Sequence, residues 1–277
     1  MPELPEVELI TRALRQLVLG RRIVRTEIRR DKLIAGSTVD LFVRNLQNTE
    51  FLSVHRRGKY IILEFNNSFS LLVHLRMTGR FQLLTDDASL PKFAHAIFYL
   101  DDERRLVFSD QRHFGMMKLI RRNELCTTKE IVSLAPEPFS SDFTSSYLKS
   151  VLSKTKRSLK ETLLDQTKVT GLGNIYCAEA LFLAGANPLT PACEFSLRRI
   201  ERLHKTIVQV LYESIAFGST LNIDPENIEG GYFGGPYEGR WRVYDRESEP
   251  CYKCSARIRR ITQGGRSTYY CPRCQRR

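Results

Sequence analysis

The 277-residue chain is 42% hydrophobic, long enough for two domains of ordinary size that each bury a core. Its 43 lysines and arginines outnumber 31 aspartates and glutamates, and the net charge of +12 points to a polyanionic partner, nucleic acid foremost. No apolar run reaches the roughly 18–20 residues of a membrane span and the N-terminus is acidic rather than signal-like, which leads to the expectation of a cytoplasmic protein with no membrane partner.

The chain opens Met1-Pro2-Glu3-Leu4-Pro5-Glu6-Val7-Glu8, which admits two readings. Prolines and glutamates suit the first turn of a helix, where a missing N–H costs nothing and a carboxylate meets the positive end of the dipole. Removal of Met1 would instead leave Pro2 as a free secondary amine; an α-amino group titrates near 7.7–8, so a useful fraction is neutral and able to form a Schiff base, with Glu3 beside it as an acid. From Leu4, the apolar residues Val7, Ile10, Leu14, Leu17 and Val18 recur at helical spacing up to Gly20, predicting a helix to about residue 19. Segments 22–29, 50–57, 59–65, 69–76, 79–84, 95–100 and 105–109 read as strands, with turns at Asn66-Asn67-Ser68 and Asp101-Asp102 and a short helix at 40–47. The expected architecture is a β-sandwich or barrel with a helix at its front. Arg56-Arg57-Gly58-Lys59-Tyr60 reads as a basic strand turn, of chemical interest if Lys59 faces the N-terminus. Met77 and the run Asp110-Gln111-Arg112-His113-Phe114-Gly115 offer side chains that either belong to a core or wedge between bases.

The pattern changes over 121–140, where Asn123, Pro136 and Pro138 interrupt it and Ser140-Ser141-Asp142 supply N-cap candidates; a linker is expected there. Helical spacing follows, from Phe143 to Leu152, Leu159 to Leu164, Ile175 to Leu183 and Phe195 to Phe217. Thr170-Gly171-Leu172-Gly173-Asn174-Ile175-Tyr176 is either a helix N-terminus open to a phosphate, with Asn174 as an added donor, or an ordinary interhelical turn. The glycine-rich stretch 218–240 composes a lid or a disordered loop. Of seven cysteines, Cys126, Cys177 and Cys193 are scattered, with Cys177 expected in the core, while Cys251-x2-Cys254 and Cys271-x2-Cys274 have the spacing of one tetrahedral, structural zinc site. Arg257, Arg259, Arg260, Arg266, Arg273, Arg276 and Arg277 lie within or just after that finger.

Taken together, the opening octapeptide, Arg57-Gly58-Lys59-Tyr60, His74-Leu75-Arg76-Met77-Thr78-Gly79, the Asp110-to-Gly115 run, Pro136-Glu137-Pro138, Gly171-Leu172-Gly173-Asn174-Ile175-Tyr176 and the four-cysteine finger follow one another as they do in a known family. The chain resembles the formamidopyrimidine-DNA glycosylases of base-excision repair from end to end. The resemblance implies an α+β multidomain protein: an N-terminal β-sandwich with a leading helix (1–130), a helical helix-two-turn-helix domain with a lesion-capping loop (131–240) and a zinc-finger β-hairpin (241–277). It implies a monomer with one structural zinc ion, acting on damaged double-stranded DNA as both glycosylase and lyase. Pro2 would be the nucleophile, Glu3 the proton-transfer group and Lys59 a third catalytic residue gripping a phosphate; Asn174 and Arg266 would hold phosphates too. His74 and His95 fall among the DNA-binding positions, Met77, Arg112 and Phe114 match void-filling residues, and Glu6 matches a carboxylate near the extruded base. The Met/Arg/Phe set resembles the branch that acts on oxidised purines such as 8-oxoguanine. The chain departs from the family pattern at Gly230-Gly231-Tyr232-Phe233-Gly234-Gly235-Pro236 and at Asp245, where many members have glycine.

Overall fold

The structure, a computed structural model, describes residues 2–276; Met1 and Arg277, both invoked above, lie outside the described residues. The chain divides into two compact units, one holding Pro2, Glu6–Val132 and Thr220–Gly235, the other Glu3–Pro5, Ser133–Ser219 and the chain from Pro236 onward.

In the first unit α1 (Leu4–Val18) turns Val7, Ile10, Leu14 and Val18 inward, as their spacing requires, and α2 (Val39–Leu46) starts at Thr38, whose hydroxyl accepts from Leu41 N. Eight antiparallel strands follow the order β5-β7-β6-β1-β2-β3-β4-β8. They are β1 (Arg22–Ile28), β2 (Thr49–Arg57), β3 (Tyr60–Phe65), β4 (Phe69–His74), β5 (Gly79–Thr85), β6 (Ala94–Leu100), β7 (Arg104–Asp110) and β8 (Met116–Arg121). Strands β1 and β2 pair only through Arg22 with Glu50 and Ile23 with Thr49, so two four-stranded layers meet at a narrow seam. Their inner faces, including Phe51, Phe65, Val73, Phe81, Phe98 and Phe108, share one apolar core with α1. Strand β8 is absent from the sequence expectation, which ended the sheet at residue 109 and began a linker at 121; Met116–Arg121 pairs along the whole of β4 instead. Short helical turns continue from there, ending in α3 (Lys129–Val132), where Glu130 pairs with Lys118 at 2.9 Å.

Residues 220–235 also belong to this unit. Strands β9 (Asn222–Ile223) and β10 (Gly230–Gly231) form a small hairpin laid along the edge strand β5, where Leu83 N donates to Asn227 O at 2.8 Å. Leu221, Ile228 and Tyr232 enter the apolar core.

The second unit packs α4 (Ser145–Leu152), α5 (Leu159–Leu163), α6 (Asn174–Ala184) and α7 (Leu197–Ala216) around one core. Helix α4 is capped by Thr144, whose hydroxyl accepts from Tyr147 N at 3.0 Å, rather than by the expected Ser140-Ser141-Asp142. Helix α6 is apolar all round, and almost all of it is buried, Cys177 included. Its one acidic residue, Glu179, accepts from the backbone N–H groups of Arg242, Val243 and Tyr244 at 2.8–3.0 Å. Burial raises the Glu179 pKa against those bonds and the Arg242 guanidinium, and the cluster fixes the approach to the finger. The finger hairpin, β11 (Arg259–Gln263) and β12 (Arg266–Tyr270), is tied to the helices by Gln275, which donates to Ala186 O at 2.9 Å and accepts through its own carbonyl from Asn187.

Candidate functional site

Pro2 is buried and precedes Glu3 by one peptide bond. The Glu3 carboxylate reaches the N-terminus of α6, accepting from Gly173 N at 2.7 Å, Ile175 N at 2.8 Å and Tyr176 N at 3.3 Å. No side chain of the chain's own N-cap residue, Gly173, could do this, so a residue 170 positions upstream supplies the cap. A Cβ at Gly173 would overlap the Glu3 carboxyl group, which is why glycine stands there. Leu4 N donates to Gly171 O at 3.1 Å and completes the clasp. Of the two readings of this stretch, the structure favours the interhelical turn: the donors of Gly173, Ile175 and Tyr176 are committed to Glu3.

Asn174 is committed too. Its Nδ2 donates to Ser267 O at 3.0 Å, and Lys160 Nζ donates to the same carbonyl at 2.8 Å and to Thr268 Oγ1 at 2.6 Å. Burial, with Arg266 nearby, lowers the Lys160 pKa to about 8. These bonds hold the finger turn, where Gly264 and Gly265 take positive φ and Arg266 stands exposed. Asn174 and Arg266 therefore meet around Ser267. Sequence reasoning passed over Lys160; a lysine between Leu159 and Leu163 in an apolar helix was the available signal.

In the first unit Lys59 is buried in the β2–β3 turn, and His74 lies across from Tyr60 on β4, the two rings edge to face at 4.7 Å. His74 Nδ1 accepts from Arg76 N at 2.9 Å, which leaves the proton on Nε2. Burial, then the charges of Arg76 and Lys59, drive its pKa down to about 3, so it is a neutral donor.

Met77, Arg112 and Phe114 converge at the surface. Arg112 Nη1 approaches Met77 Sδ at 2.9 Å, and its guanidinium lies 5.2 Å from the centre of the exposed Phe114 ring. The organiser of this loop is buried Asp110, which heads the sequence motif but was given no role there: Oδ1 accepts from Thr78 Oγ1 and from Arg112 N at 3.2 Å, and Oδ2 accepts from Gly115 N at 2.6 Å. His95 is placed behind the loop, its Nε2 2.9 Å from Asp110 O and 2.8 Å from His113 Nδ1. Glu6, buried in α1, accepts from Thr220 Oγ1 at 3.2 Å and from Thr220 N at 3.4 Å.

The Sγ atoms of Cys251, Cys254, Cys271 and Cys274 all lie within 4.8 Å of one another, with pairs at 3.8 and 3.4 Å. A tetrahedral zinc thiolate site spaces its sulfurs about 3.8 Å apart. Backbone N–H groups of Lys253 and Cys274 point at Cys251 Sγ and Cys271 Sγ, both at 3.4 Å, supplying the donors that thiolates need. The four cysteines hold one structural zinc ion.

Three family models match the chain. They are the formamidopyrimidine-DNA glycosylase N-terminal domain over residues 1–117, the H2TH domain of the same enzymes over 134–224, and a zinc finger found in FPG and IleRS over 248–277. The chain is 40% identical to a formamidopyrimidine-DNA glycosylase of Bacillus licheniformis, with 100% of both covered, and 39% identical to one from Desulforamulus reducens, with 100% and 99% covered. Among solved structures, it resembles a Lactococcus lactis mutant of that enzyme bound to a Fapy-dG containing DNA, at 31% identity and a TM-score of 0.93 over all of both chains. The wild-type Lactococcus lactis enzyme with an oxidised pyrimidine containing DNA matches at 32% and a TM-score of 0.92, again over all of both chains.

Proposed function

Because this chain belongs to the formamidopyrimidine-DNA glycosylase family, a family of base-excision repair glycosylases, we propose that it removes oxidised purines, 8-oxoguanine and formamidopyrimidines, from duplex DNA and then cleaves the strand as a lyase. The observation that supports this best is the fixing of Glu3, next to Pro2, by three N–H groups at the N-terminus of α6.

With Met1 removed, the Pro2 nitrogen attacks the deoxyribose carbon that bears the damaged base, the base leaves, and the sugar ring opens to an iminium. Glu3 transfers the proton that ring opening needs. The iminium acidifies the neighbouring sugar protons, so β- and then δ-elimination remove the sugar. Lys59 and the neutral His74 face the strand as phosphate donors; His95 serves DNA binding through the Arg112 loop that it backs. Arg266 and Asn174 serve the same grip from the finger turn, Asn174 through Ser267. Met77, Arg112 and Phe114 fill the space left by the extruded nucleotide, and Glu6 reads its base. The division of labour is 1–130 for chemistry, 131–240 for the helix-two-turn-helix and cap, and 241–277 for the finger. The protein works as a monomer in the bacterial cytoplasm, at the nucleoid.

Single-turnover cleavage of otherwise identical duplexes carrying 8-oxoguanine, a formamidopyrimidine, an oxidised pyrimidine or an abasic site tests the reading. Faster release of the purine lesions, with phosphate left on both ends of the gap, is the expected result. Preference for the pyrimidine lesion overturns the substrate class, and tight binding without cleavage overturns the enzymatic reading.

A further inference from the structure

Tyr232 lies in the Thr220–Gly235 segment with its ring in the apolar core, and burial raises the pKa of its phenol, which therefore stays protonated and donates. The acceptor is the carbonyl of Gly79. Gly79 is two residues beyond Met77 and opens β5 opposite Asp110, the residue that organises the Arg112 loop. The backbone of Tyr232 reaches the other way: its carbonyl accepts from Thr220 Oγ1 at 2.8 Å, and that hydroxyl also lies 3.2 Å from Glu6 Oε1. A threonine hydroxyl has one proton and here two acceptors, so the position of the Tyr232 carbonyl sets how much of that proton Glu6 receives. One residue, its phenol on one side and its backbone carbonyl on the other, thus stands between the carboxylate assigned to the extruded base and the turn that presents Met77 and Arg112.

We propose that Tyr232 is a positioning residue that couples the setting of Glu6 to the setting of the Met77–Arg112–Phe114 wedge. The roles of those end points rest on the function proposed above; the coupling itself does not. Arg80 reinforces the latch, its guanidinium 5.8 Å from the Tyr232 ring centre and donating to Gly230 O at 2.8 Å. A latch of this kind makes recognition of the base and filling of the vacated stack succeed or fail together.

Tyr232→Phe removes the phenol bond and keeps the ring. In the protein alone, hydrogen exchange is expected to quicken several-fold at the amides of residues 110–115 as well as 220–222. Exchange that changes in only one of the two segments, or in neither, overturns the coupling whatever the substrate is. With duplex DNA, removal of 8-oxoguanine is expected to slow about tenfold, the cost of one hydrogen bond to a buried group, while cleavage at a preformed abasic site stays within about twofold. In a Glu6→Gln background the further effect of Tyr232→Phe is expected to vanish. Equal loss on both DNAs by folded protein means that Tyr232 is merely structural, and overturns the proposal. Wild-type protein inactive on oxidised purines sinks the proposed function and leaves the exchange test standing. If Tyr232→Phe does not fold, Thr220→Val reads the coupling from the other end: quickened exchange at 110–115 supports it and unchanged exchange there refutes it.

Discussion

Glu3 and His74 show how the fold sets a side chain's chemistry through backbone N–H groups. Three of them fix both oxygens of Glu3, and one takes the His74 Nδ1 lone pair and leaves Nε2–H as the donor. His74 carries a consequence for stability. Its folded pKa lies near 3 and its unfolded one near 6.5, so between those values the unfolded chain binds the extra proton. Its contribution is complete above pH 6.5 and is lost as pH falls toward 3, at no more than about 1.4 kcal/mol per pH unit. Urea unfolding between about pH 4.5 and 6.5, above the carboxylate range, is expected to show stability falling with acid, and His74→Gln to show a shallower fall. Burial lowers His55 and His95 as well, so some slope remains; identical slopes for variant and wild type would contradict the assignment. The motif around His74 was legible in the sequence. The proton position was not, because it depends on a turn that brings Arg76 N back onto the ring.

At the scale of elements, seven strands, the leading helix and the four main helices were readable because their apolar periodicity is local. Strand β8 was not: Met116-Met117-Lys118-Leu119-Ile120-Arg121 has one β-branched residue, and its strand character comes from β4, more than forty residues earlier. The order in the Gly-rich stretch, left open between a lid and a disordered loop, was hidden for a related reason. Its composition reads as loop; the hairpin closes through the pairing of β9 with β10, and Leu83 N, Gly79 O and the Arg80 guanidinium, all far upstream, hold it in place. The finger, by contrast, was fully visible in its cysteine spacing. Because four thiolates within 4.8 Å of one another repel when no metal ion sits between them, chelation is expected to unfold residues 248–276 and abolish DNA binding while the β-sandwich, with its separate core, still melts cooperatively. Calorimetry with and without chelator checks this; loss of every transition would contradict the independence of the sandwich core.

For the whole molecule, the charge of +12 is the property that acts at longest range. Each phosphate neutralised releases counterions, so the logarithm of affinity for duplex DNA is expected to fall linearly with the logarithm of salt, by about 0.9 per contact. Arg266→Ala should make that slope shallower by about 1. An unchanged slope would remove Arg266 from the phosphate grip.

If the amine of Pro2 does the chemistry, borohydride reduction captures the sugar on that nitrogen. Protein whose intact mass confirms a Pro2 terminus is incubated with an 8-oxoguanine duplex, reduced, digested and sequenced by mass spectrometry. One covalent DNA adduct is expected, on the Pro2 nitrogen, and none when Met1 is retained. An adduct on Lys59 or Lys160, or equal trapping by Pro2→Gly with its modified residue elsewhere in the chain, would contradict that role for Pro2.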